Sequence, residues 1–303
     1  MEQKVSNELF DVVIVDGGST DGTQEFIQEV SKKNTNIFLY TSKHKNGVDN
    51  DILQSIRLSN SKFCWLFSDD DCFSDHLLSK VINFLSSKRK LSGITLNYQG
   101  YDSKLINKII TVKATRKDEK TKKYLSLYDL FYDLGIHTGF ISCQIINKEY
   151  FDMSYNKITN KIKFNNWVVP YIIYVTYKEE FGWYFCADLI VKYRSSNDSF
   201  INKMGVINRF ELTFVGFKNI LKTIFQDRKK VNKIMHYILL TRAPRTIAFL
   251  KSNGLPIKDS FYIAKMIAKH YFYYPLIWLL ILPLLILPNS LFNILKKLYF
   301  RFI

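Results

Sequence analysis

The chain has 303 residues, of which 47% are hydrophobic and 16% aromatic, and a formal net charge of +16. This composition is typical of a globular protein and excludes an intrinsically disordered one. Residues 1–200 hold 26 Lys and Arg against 24 Asp and Glu, whereas residues 201–303 hold 17 against 3. The last third is therefore strongly basic, which is typical of proteins that contact nucleic acid or an anionic membrane surface.

The first predicted strand, Leu9 to Val15, leads into a glycine-rich turn and then a helix that ends near Lys33. The turn reads Asp16-Gly17-Gly18-Ser19. A strand, a glycine turn and a helix N-terminus in this order favour a nucleotide-binding loop, because glycines let the backbone approach a ligand closely. Asp16 at the strand end can accept a hydrogen bond from a base or a ribose.

A second predicted strand, residues 37–41, is followed by the loop Asn46-Gly47-Val48-Asp49 and a helix to about residue 59. Asp49 in this loop is a candidate for binding the nucleotide. Next comes an apolar run, Phe63 to Phe67, which is too short for a helix and has polar neighbours on both sides. This run predicts a buried central strand of a parallel sheet. The chain therefore alternates strands and helices, as α/β proteins do.

Three carboxylates, Asp69, Asp70 and Asp71, follow this strand directly. Ligands of open α/β sheets bind beyond the carboxyl ends of the strands, and adjacent acids repel one another unless a cation lies between them. We therefore predict a divalent cation held by one or two carboxylates together with substrate phosphates. The alternative is an acidic turn that caps the helix beginning near Asp75.

Taken together, these motifs resemble the family 2 glycosyltransferases of the GT-A fold. Within that family, four stretches look closest to bacterial abequosyltransferase-like O-antigen enzymes: residues 46–49, residues 63–71, residues 141–148 and residues 193–200. The resemblance implies an α/β fold with a mixed, Rossmann-like sheet flanked by helices.

The resemblance also implies roles for individual residues. Asp16 matches the acid near the base of the nucleotide, and Gly17 stands where many members carry a second acid. Asp70 and Asp71 match the acid pair that ends the family's metal signature, with Ser68 in place of its first Asp. These two acids are therefore expected to hold Mg²⁺ or Mn²⁺ against the diphosphate of a nucleotide-sugar donor.

The predicted strand that opens at Gly135 and runs through Ile146 faces the acceptor sugar in the related enzymes. His137, among small residues, is a candidate general base; the alternative is a structural hydrogen-bonding role. The family's usual base is an Asp or Glu at the start of a late helix, where residues 165–170 contain no acid. Glu179 and Glu180 lie at the other end of that helix. The sequence therefore does not identify the base.

The last predicted strand of the core, residues 184–193, ends at Arg194. An arginine suits a diphosphate because its N–H donors form a fixed fork, so Arg194 is a candidate for binding the donor phosphates. A loop salt bridge with Asp198 is the alternative. The predicted glycosyltransferase domain therefore ends near residue 200.

Residues 201–270 predict a basic helical appendage, and residues 271–303 a membrane-associated segment. From Tyr271 to Pro288 there is no charged residue, and Lys296, Lys297 and Arg301 follow. Aromatic residues at one end and basic residues at the other are typical of a membrane interface. Three prolines disfavour a straight spanning helix. We expect a peripheral or monotopic anchor on the cytoplasmic face of a bacterial inner membrane rather than a transmembrane helix.

The sequence thus predicts a glycosyltransferase that moves a sugar from a nucleotide-sugar donor to a lipid-linked glycan in O-antigen or capsule synthesis, without a nucleic-acid partner. The alternatives are a nucleotidyltransferase and a non-catalytic, membrane-associated sugar-binding protein. Only eight residues precede Leu9, so the family's first strand and helix are expected to be missing. We therefore expect either a start site that is placed too late or an inactive, truncated remnant.

Overall fold

The computed structural model describes residues 5–42, 45–88, 90–109, 113–116, 120–156, 163–195, 199–275 and 277–293, with the backbone alone for 199–204. The chain divides into two compact units, Met1–Asn197 and Asp198–Ile303. Asp198, Lys296, Lys297 and Arg301, which entered the predictions above, lie outside the described residues.

The first unit begins with a parallel strand pair. Strand β1 (Val12–Asp16) pairs with β2 (Ile37–Thr41) in the register Val12 to Ile37 and Asp16 to Thr41. Helix α1 (Thr23–Lys33) connects the two strands, and α2 (Val48–Leu58) follows β2. A parallel pair needs such a crossover connection because its strands run in the same direction. Both glycine loops therefore lie at helix starts, as predicted.

A second, six-stranded sheet forms the centre of this unit. Its strands are β3 (Phe63–Trp65), β4 (Cys72–Phe73), β5 (Gly93–Tyr101), β6 (Lys122–Tyr124), β7 (Gln144–Asn147) and β8 (Trp183–Arg194). The order is β3-β7-β5-β8-β4, with β6 also paired to β8. Strands β5 and β8 are parallel, whereas the other pairs are antiparallel. The predicted mixed α/β sheet is confirmed.

The expectation of a central, parallel strand at residues 63–67 is wrong. Strand β3 ends at Trp65, is half-buried, and lies at the end of the sheet, antiparallel to β7. The aromatic side chains are instead covered by one another: the rings of Trp65 and Phe67 lie 4.9 and 4.5 Å from that of Phe73. An apolar run indicates that its side chains are buried. Packing of aromatic rings against one another can bury them even when only one strand pairs with the run. Among the described strands, β1 and β3 belong to separate sheets.

Helices cover the six-stranded sheet and bury its apolar side chains. They are α3 (Leu77–Ser87), α4 (Leu127–Leu134), α5 (Lys148–Tyr155) and α6 (Val168–Thr176). Leu77 and Val81 of α3 pack into a core with Ile94, Ile145 and Val191 from β5, β7 and β8. Each such fully buried side chain contributes roughly 1.5–3 kcal/mol. This core fixes the strand ends beside residues 68–71, the acid turn that contains Asp69, Asp70 and Asp71.

The described secondary structure of the second unit is helical. It comprises α7 (Ser199–Glu211), α8 (Phe217–Ile224), α9 (Arg228–Ser252), α10 (Ile257–Tyr271) and α11 (Leu282–Ile286). Gly205 interrupts α7 with a φ of 79°, which favours glycine. A π-helical turn, Leu212–Gly216, joins α7 to α8, and a second, Ile277–Ile281, precedes α11.

Within the uncharged stretch from Tyr271 to Pro288, the described residues form the π-helical turn Ile277–Ile281, which continues into the short helix α11. Within the part of the chain that the structure describes, no helix combines the length and the apolar character that crossing a bilayer requires. Ile277 and Ile281 are buried in the unit, whereas Trp278, Leu279 and Leu280 are exposed. The stretch thus has one face in the helical core and one apolar face directed outward.

Candidate active site

The loop after β1 is organised by the carboxylate of Asp16. Its oxygens accept hydrogen bonds from the backbone N–H groups of Gly18 and Ser19, from the Ser19 hydroxyl and from Nε2 of Gln24. These donors lower the pKa of Asp16, the Ser19 hydroxyl most of all. Gly18 adopts a φ of 91°, so the tight turn uses the freedom that only glycine has without strain. Asp16 therefore holds the predicted nucleotide loop in shape.

The acid turn after β3 is fixed by one buried serine. The Ser142 hydroxyl donates a hydrogen bond of 2.5 Å to Oδ2 of Asp71 and accepts one of 3.0 Å from the backbone N–H of Ser68. Ser142 is fully buried, whereas Asp69 is exposed and Asp70 is half-buried. Burial raises the pKa of Asp71, partly offset by the Ser142 hydrogen bond. Asp71 is thus the acid that the fold holds in place.

Arg194 lies against the same turn. Pairing of β4 with β8 places Cys72 opposite Lys192, which brings the end of β8 to the acids. The backbone N–H of Arg194 donates to Oδ1 of Asp71 at 3.4 Å, and its Nε donates to the carbonyl of Asp70 at 3.3 Å. A guanidinium carries four more N–H donors on its two Nη atoms. The structure therefore brings together Asp70, Asp71 and Arg194, which the sequence analysis had assigned separately.

His137 lies in an aromatic cluster with Tyr98, Phe140 and Tyr193. It belongs to a 3₁₀ turn, Gly135–Gly139, rather than to the predicted strand, which is restricted to β7. Its Nε2 lies 3.3 Å from the Tyr98 hydroxyl, and the two rings stack at 5.1 Å. The Tyr98 ring contacts that of Tyr193, the residue before Arg194, at 5.5 Å. His137 is therefore hydrogen-bonded to a tyrosine whose ring also contacts Tyr193.

Asp49 is engaged elsewhere. From the first turn of α2, its carboxylate accepts hydrogen bonds from the backbone N–H groups of Asn166 and Val168, at 2.7 and 3.1 Å. Asn166 precedes α6 and Val168 begins it, so Asp49 satisfies donors that a helix N-terminus leaves unpaired. Burial raises the pKa of Asp49. Its nucleotide role stays a prediction, and both of its oxygens accept hydrogen bonds at the start of α6.

The acid turn has the donor set for a divalent cation. Among the described residues, no three His, Cys, Asp or Glu side chains cluster as a preformed metal centre. Mg²⁺, however, is usually bound through one or two carboxylates together with substrate phosphates and waters. Each oxygen of Asp71 accepts one hydrogen bond, from Ser142 or from Arg194, which leaves each oxygen a lone pair for a cation. The residues present therefore fit a cation that binds with the donor diphosphate.

Sequence reasoning missed two residues of this region, Ser142 and Asp51. Ser142 lies within residues 141–148, a stretch that carried the family resemblance, but a serine in an apolar segment gives no signal of its own. Asp51 follows Asp49 by two residues on α2, and its carboxylate lies against the Asp16 loop: a Cβ added to Gly17 would lie 3.3 Å from its Oδ2. The acidic start of α2 was the signal that could have identified it.

Comparisons with known proteins identify the family of the chain. The family model described as glycosyl transferase family 2 matches residues 1–153, half of the chain. The chain therefore belongs to glycosyl transferase family 2. It is 34% identical over 88 residues to the abequosyltransferase RfbV of Salmonella typhimurium, a match that covers 28% of this chain and 26% of that enzyme. The aligned part is thus about a quarter of the relative's length.

Solved structures share the fold at low identity. TarS 1–349 of S. aureus, in complex with UDP-GlcNAc, aligns with a TM-score of 0.55 and 12% identity over 88% of this chain and 78% of that one. The mannosyltransferase PcManGT of Pyrobaculum calidifontis, in complex with GDP-Man and Mn²⁺, aligns with a TM-score of 0.52 and 11% identity over 97% and 81% of the two chains. The chain therefore has the GT-A-like fold of these glycosyltransferases.

Proposed function

We propose that this protein transfers a sugar from a nucleotide-sugar donor to a lipid-linked glycan during synthesis of a bacterial surface polysaccharide, such as O-antigen or capsule. The observation that carries the proposal is the acid turn, in which Asp71 is held by Ser142 and lies beside Arg194. Family membership and the partial likeness to an abequosyltransferase support the reaction class.

In this proposal each group acts on a particular part of the donor. The loop shaped by Asp16 lies along the nucleoside, and the Arg194 fork binds the diphosphate through its Nη donors. Mg²⁺ or Mn²⁺ held by Asp70 and Asp71 would neutralise charge that develops on the departing nucleoside diphosphate. His137 is the candidate base for the acceptor hydroxyl, and the tyrosine hydroxyl at 3.3 Å orients its ring.

A donor-turnover assay tests the reaction class. The full chain is incubated with UDP-, GDP-, CDP- and dTDP-linked sugars, with and without Mn²⁺. Slow release of the nucleoside diphosphate supports a transferase. Release of pyrophosphate would identify a nucleotidyltransferase instead, and neither release nor binding would identify a non-catalytic protein.

The acid turn is tested by Asp71→Asn, with Asp75→Asn as the matched control because Asp75 is exposed and only four residues away. We expect Asp71→Asn to weaken metal-dependent donor binding at least about tenfold, or about 1.4 kcal/mol. Calorimetric titration with and without Mn²⁺ measures this. Equal donor affinities of the two variants would show that Asp71 does not take part in metal-dependent donor binding.

We infer that the second unit attaches the protein to the cytoplasmic face of the membrane without spanning it. The support is the +14 charge of residues 201–303 together with the exposed side chains of Trp278 and Leu279, which are 52% and 70% exposed. Basic residues are attracted to anionic lipids, and an apolar face inserts at the boundary between headgroups and acyl chains. Electrostatic attraction is screened by salt, whereas insertion is not.

Sedimentation with anionic liposomes tests this attachment. The double variant Trp278→Ser, Leu279→Ser should bind weakly, and salt should release all of it. The wild type should stay bound in part at 1 M salt. Phe26→Ser is the matched control because Phe26 is 67% exposed on the first unit. If high salt alone releases all of the wild type, the apolar contribution is refuted.

A further inference from the structure

Helix α10 (Ile257–Tyr271) is apolar over a wider arc than the second unit covers. Its inner face, which includes Ile263, Ile267 and Tyr271, is buried, and the helix contacts α7 and α11. A helix on a protein surface needs one apolar stripe toward the core, with polar residues around the rest of it. Apolar side chains that lie beside the buried face and are nevertheless exposed therefore indicate a second surface that they contact.

Three exposed side chains form an apolar row on α10: Ile257, Phe261 and Phe272. The first two lie four residues apart on the helix and the third follows its last residue; they are 65%, 57% and 64% exposed. At 3.6 residues per turn, the three fall within about 60° of one another around the helix axis. Nε1 of Trp278 donates a hydrogen bond of 2.8 Å to the carbonyl of Phe272. The apolar row is therefore continuous with the exposed side of the turn Ile277–Ile281.

A lysine row runs along α10 beside the apolar row. Its members, Lys258, Lys265 and Lys269, are all exposed. They fall within about 40° of one another around the axis, on the side opposite the buried face. The one acid of α10, Asp259, is half-buried. The outer face of α10 thus combines an apolar row with a row of positive charge.

An anionic lipid bilayer matches both rows. A helix at a membrane surface places apolar side chains at the boundary between headgroups and acyl chains, while lysines beside them reach toward the phosphates. A second copy of this chain matches the face less well. A two-fold contact through it would bring two lysine rows of the same charge together, and like charges repel one another.

We propose that the outer face of α10 is a lipid-binding surface, with the apolar row inserted into an anionic bilayer and the lysine row in contact with lipid phosphates. This inference rests on the proposed membrane attachment and adds to it a surface and an orientation. Because Trp278 lies at the C-terminal end of α10, the helix and the exposed turn meet the bilayer together. The axis of α10 then runs along the membrane surface. A bilayer of neutral lipid offers only the apolar part of this contact.

Two double variants that remove the same charge test the lysine row. Lys265→Gln, Lys269→Gln changes α10, and Lys32→Gln, Lys33→Gln changes α1 of the first unit, where both lysines are exposed. Each full-length variant is sedimented with vesicles of phosphatidylcholine alone or mixed with phosphatidylglycerol. We expect the α10 variant to lose roughly 25-fold in affinity for the mixed vesicles, since each lysine near an anionic surface contributes about fivefold. The α1 variant should lose less than about fivefold, because salt screens charges that lie away from the lipid.

The apolar row is tested at high salt, where electrostatic attraction is screened. Ile257→Ser, Phe261→Ser should lower the remaining vesicle binding by about tenfold or more, the factor that burial of one large apolar side chain supplies. Phe261→Leu should retain this binding because it stays apolar. Both side chains are more than half exposed, so the free double variant should unfold at the temperature of the wild type.

Each other outcome overturns the assignment. Equal losses from the α10 and α1 lysine variants would show that total charge, and not the lysine row, sets the affinity. Wild-type binding of Ile257→Ser, Phe261→Ser at high salt would exclude insertion of α10, and a loss in Trp278→Ser, Leu279→Ser would then leave the proposed attachment standing. If the wild type sediments with neither vesicle, the proposed attachment itself fails. If the lipid-free wild type is a dimer that Phe261→Ser converts to a monomer with unchanged vesicle binding, the face binds a second copy instead.

Discussion

Replacing Ser142 with alanine tests whether the acid turn is built around that hydroxyl. The change removes one oxygen from a fully buried site and leaves almost no cavity. It also removes two hydrogen bonds at once, the one donated to Oδ2 of Asp71 and the one accepted from the N–H of Ser68. The effect should therefore be electrostatic rather than one of lost packing.

The expected cost follows from these two hydrogen bonds. A hydrogen bond to a charged group contributes about 1.5–3 kcal/mol, and an unpaired buried N–H costs about 1–3 kcal/mol. Because Asp71 and Ser68 are only half-buried, water replaces part of each loss. We expect the free energy of unfolding to fall by about 2–4 kcal/mol at neutral pH.

The destabilisation should depend on pH. Burial already raises the pKa of Asp71, and the Ser142 hydrogen bond favours its charged form. Without that donor the pKa rises further, so the folded variant binds a proton more readily than the folded wild type. The difference in stability between the two proteins should therefore be largest above the raised pKa and shrink as pH falls through it.

Urea unfolding at a series of pH values from 4 to 8 measures both quantities. Ser87→Ala is the matched control, because the Ser87 hydroxyl is exposed and donates only to a helix carbonyl. It should change stability by less than about 0.5 kcal/mol. If Ser142→Ala is as mild as this control, or if its effect is the same at every pH, the reasoning about the turn is refuted.

Two further changes test the neighbouring loops. Gly139→Ala should lower stability by about 1–3 kcal/mol, because the added Cβ would lie 2.4 Å from the Trp167 ring; an unchanged urea midpoint would contradict this close contact. Asp16→Asn should remove a stabilisation that the wild type has above the ordinary Asp pKa and loses as pH falls through its lowered folded pKa. Wild type and variant should therefore approach one another in stability as pH falls below the ordinary value of 3.8, and curves that stay parallel from pH 6 downward would disprove the role of Asp16 in the loop.

The sequence predicted what depends on local pattern. The strand, glycine turn and helix around Asp16, and the acids after the aromatic strand, are local features, and the structure contains them. The assignment of Asp70 and Asp71 to a metal, and of Arg194 to the donor phosphates, rested in addition on the family resemblance and on the chemistry of these side chains. Pairing of β4 with β8 brings the three residues together. Their roles remain predictions, but their proximity is a property of the fold.

What the sequence did not give depends on distant contacts. Asp49 hydrogen-bonds residues 117 and 119 positions later, so its local loop motif could not reveal that it caps α6. Ser142 contacts Asp71 across 71 positions. The apolar run at Phe63 indicated burial correctly but not which strand would pair with it. A local sequence pattern indicates whether the side chains of a segment are buried. Which strands or helices bury them depends on contacts between residues far apart in the sequence.

The last prediction concerns a buried cation of the second unit, Lys218, which is only 5% exposed. Its Nζ donates hydrogen bonds to the carbonyl of His270, at 2.6 Å, and to the Tyr273 hydroxyl, and lies 4.1 Å from the centre of the Tyr271 ring. The pKa of Lys218 is lowered to about 8, mainly by burial and to a smaller extent by the charges of Lys222 and Arg228.

The lowered pKa of Lys218 makes its contribution to stability depend on pH in a definite direction. Between pH 8 and its ordinary value of 10.5, the unfolded lysine holds a proton that the folded one has released. Stability rises with pH wherever the unfolded state binds more protons, so Lys218 should stabilise the fold progressively from pH 8 upward. Lys218→Met keeps an unbranched side chain but cannot titrate, so the variant should lack this rise.

Urea unfolding followed by circular dichroism between pH 7 and 10 measures the two slopes. The comparison stops at pH 10 because unfolded tyrosines ionise there, whereas burial raises the pKa of folded Tyr271 and reverses the trend. Equal slopes for wild type and Lys218→Met would mean that Lys218 keeps an ordinary pKa and that the aromatic residues around it do not shield it from water.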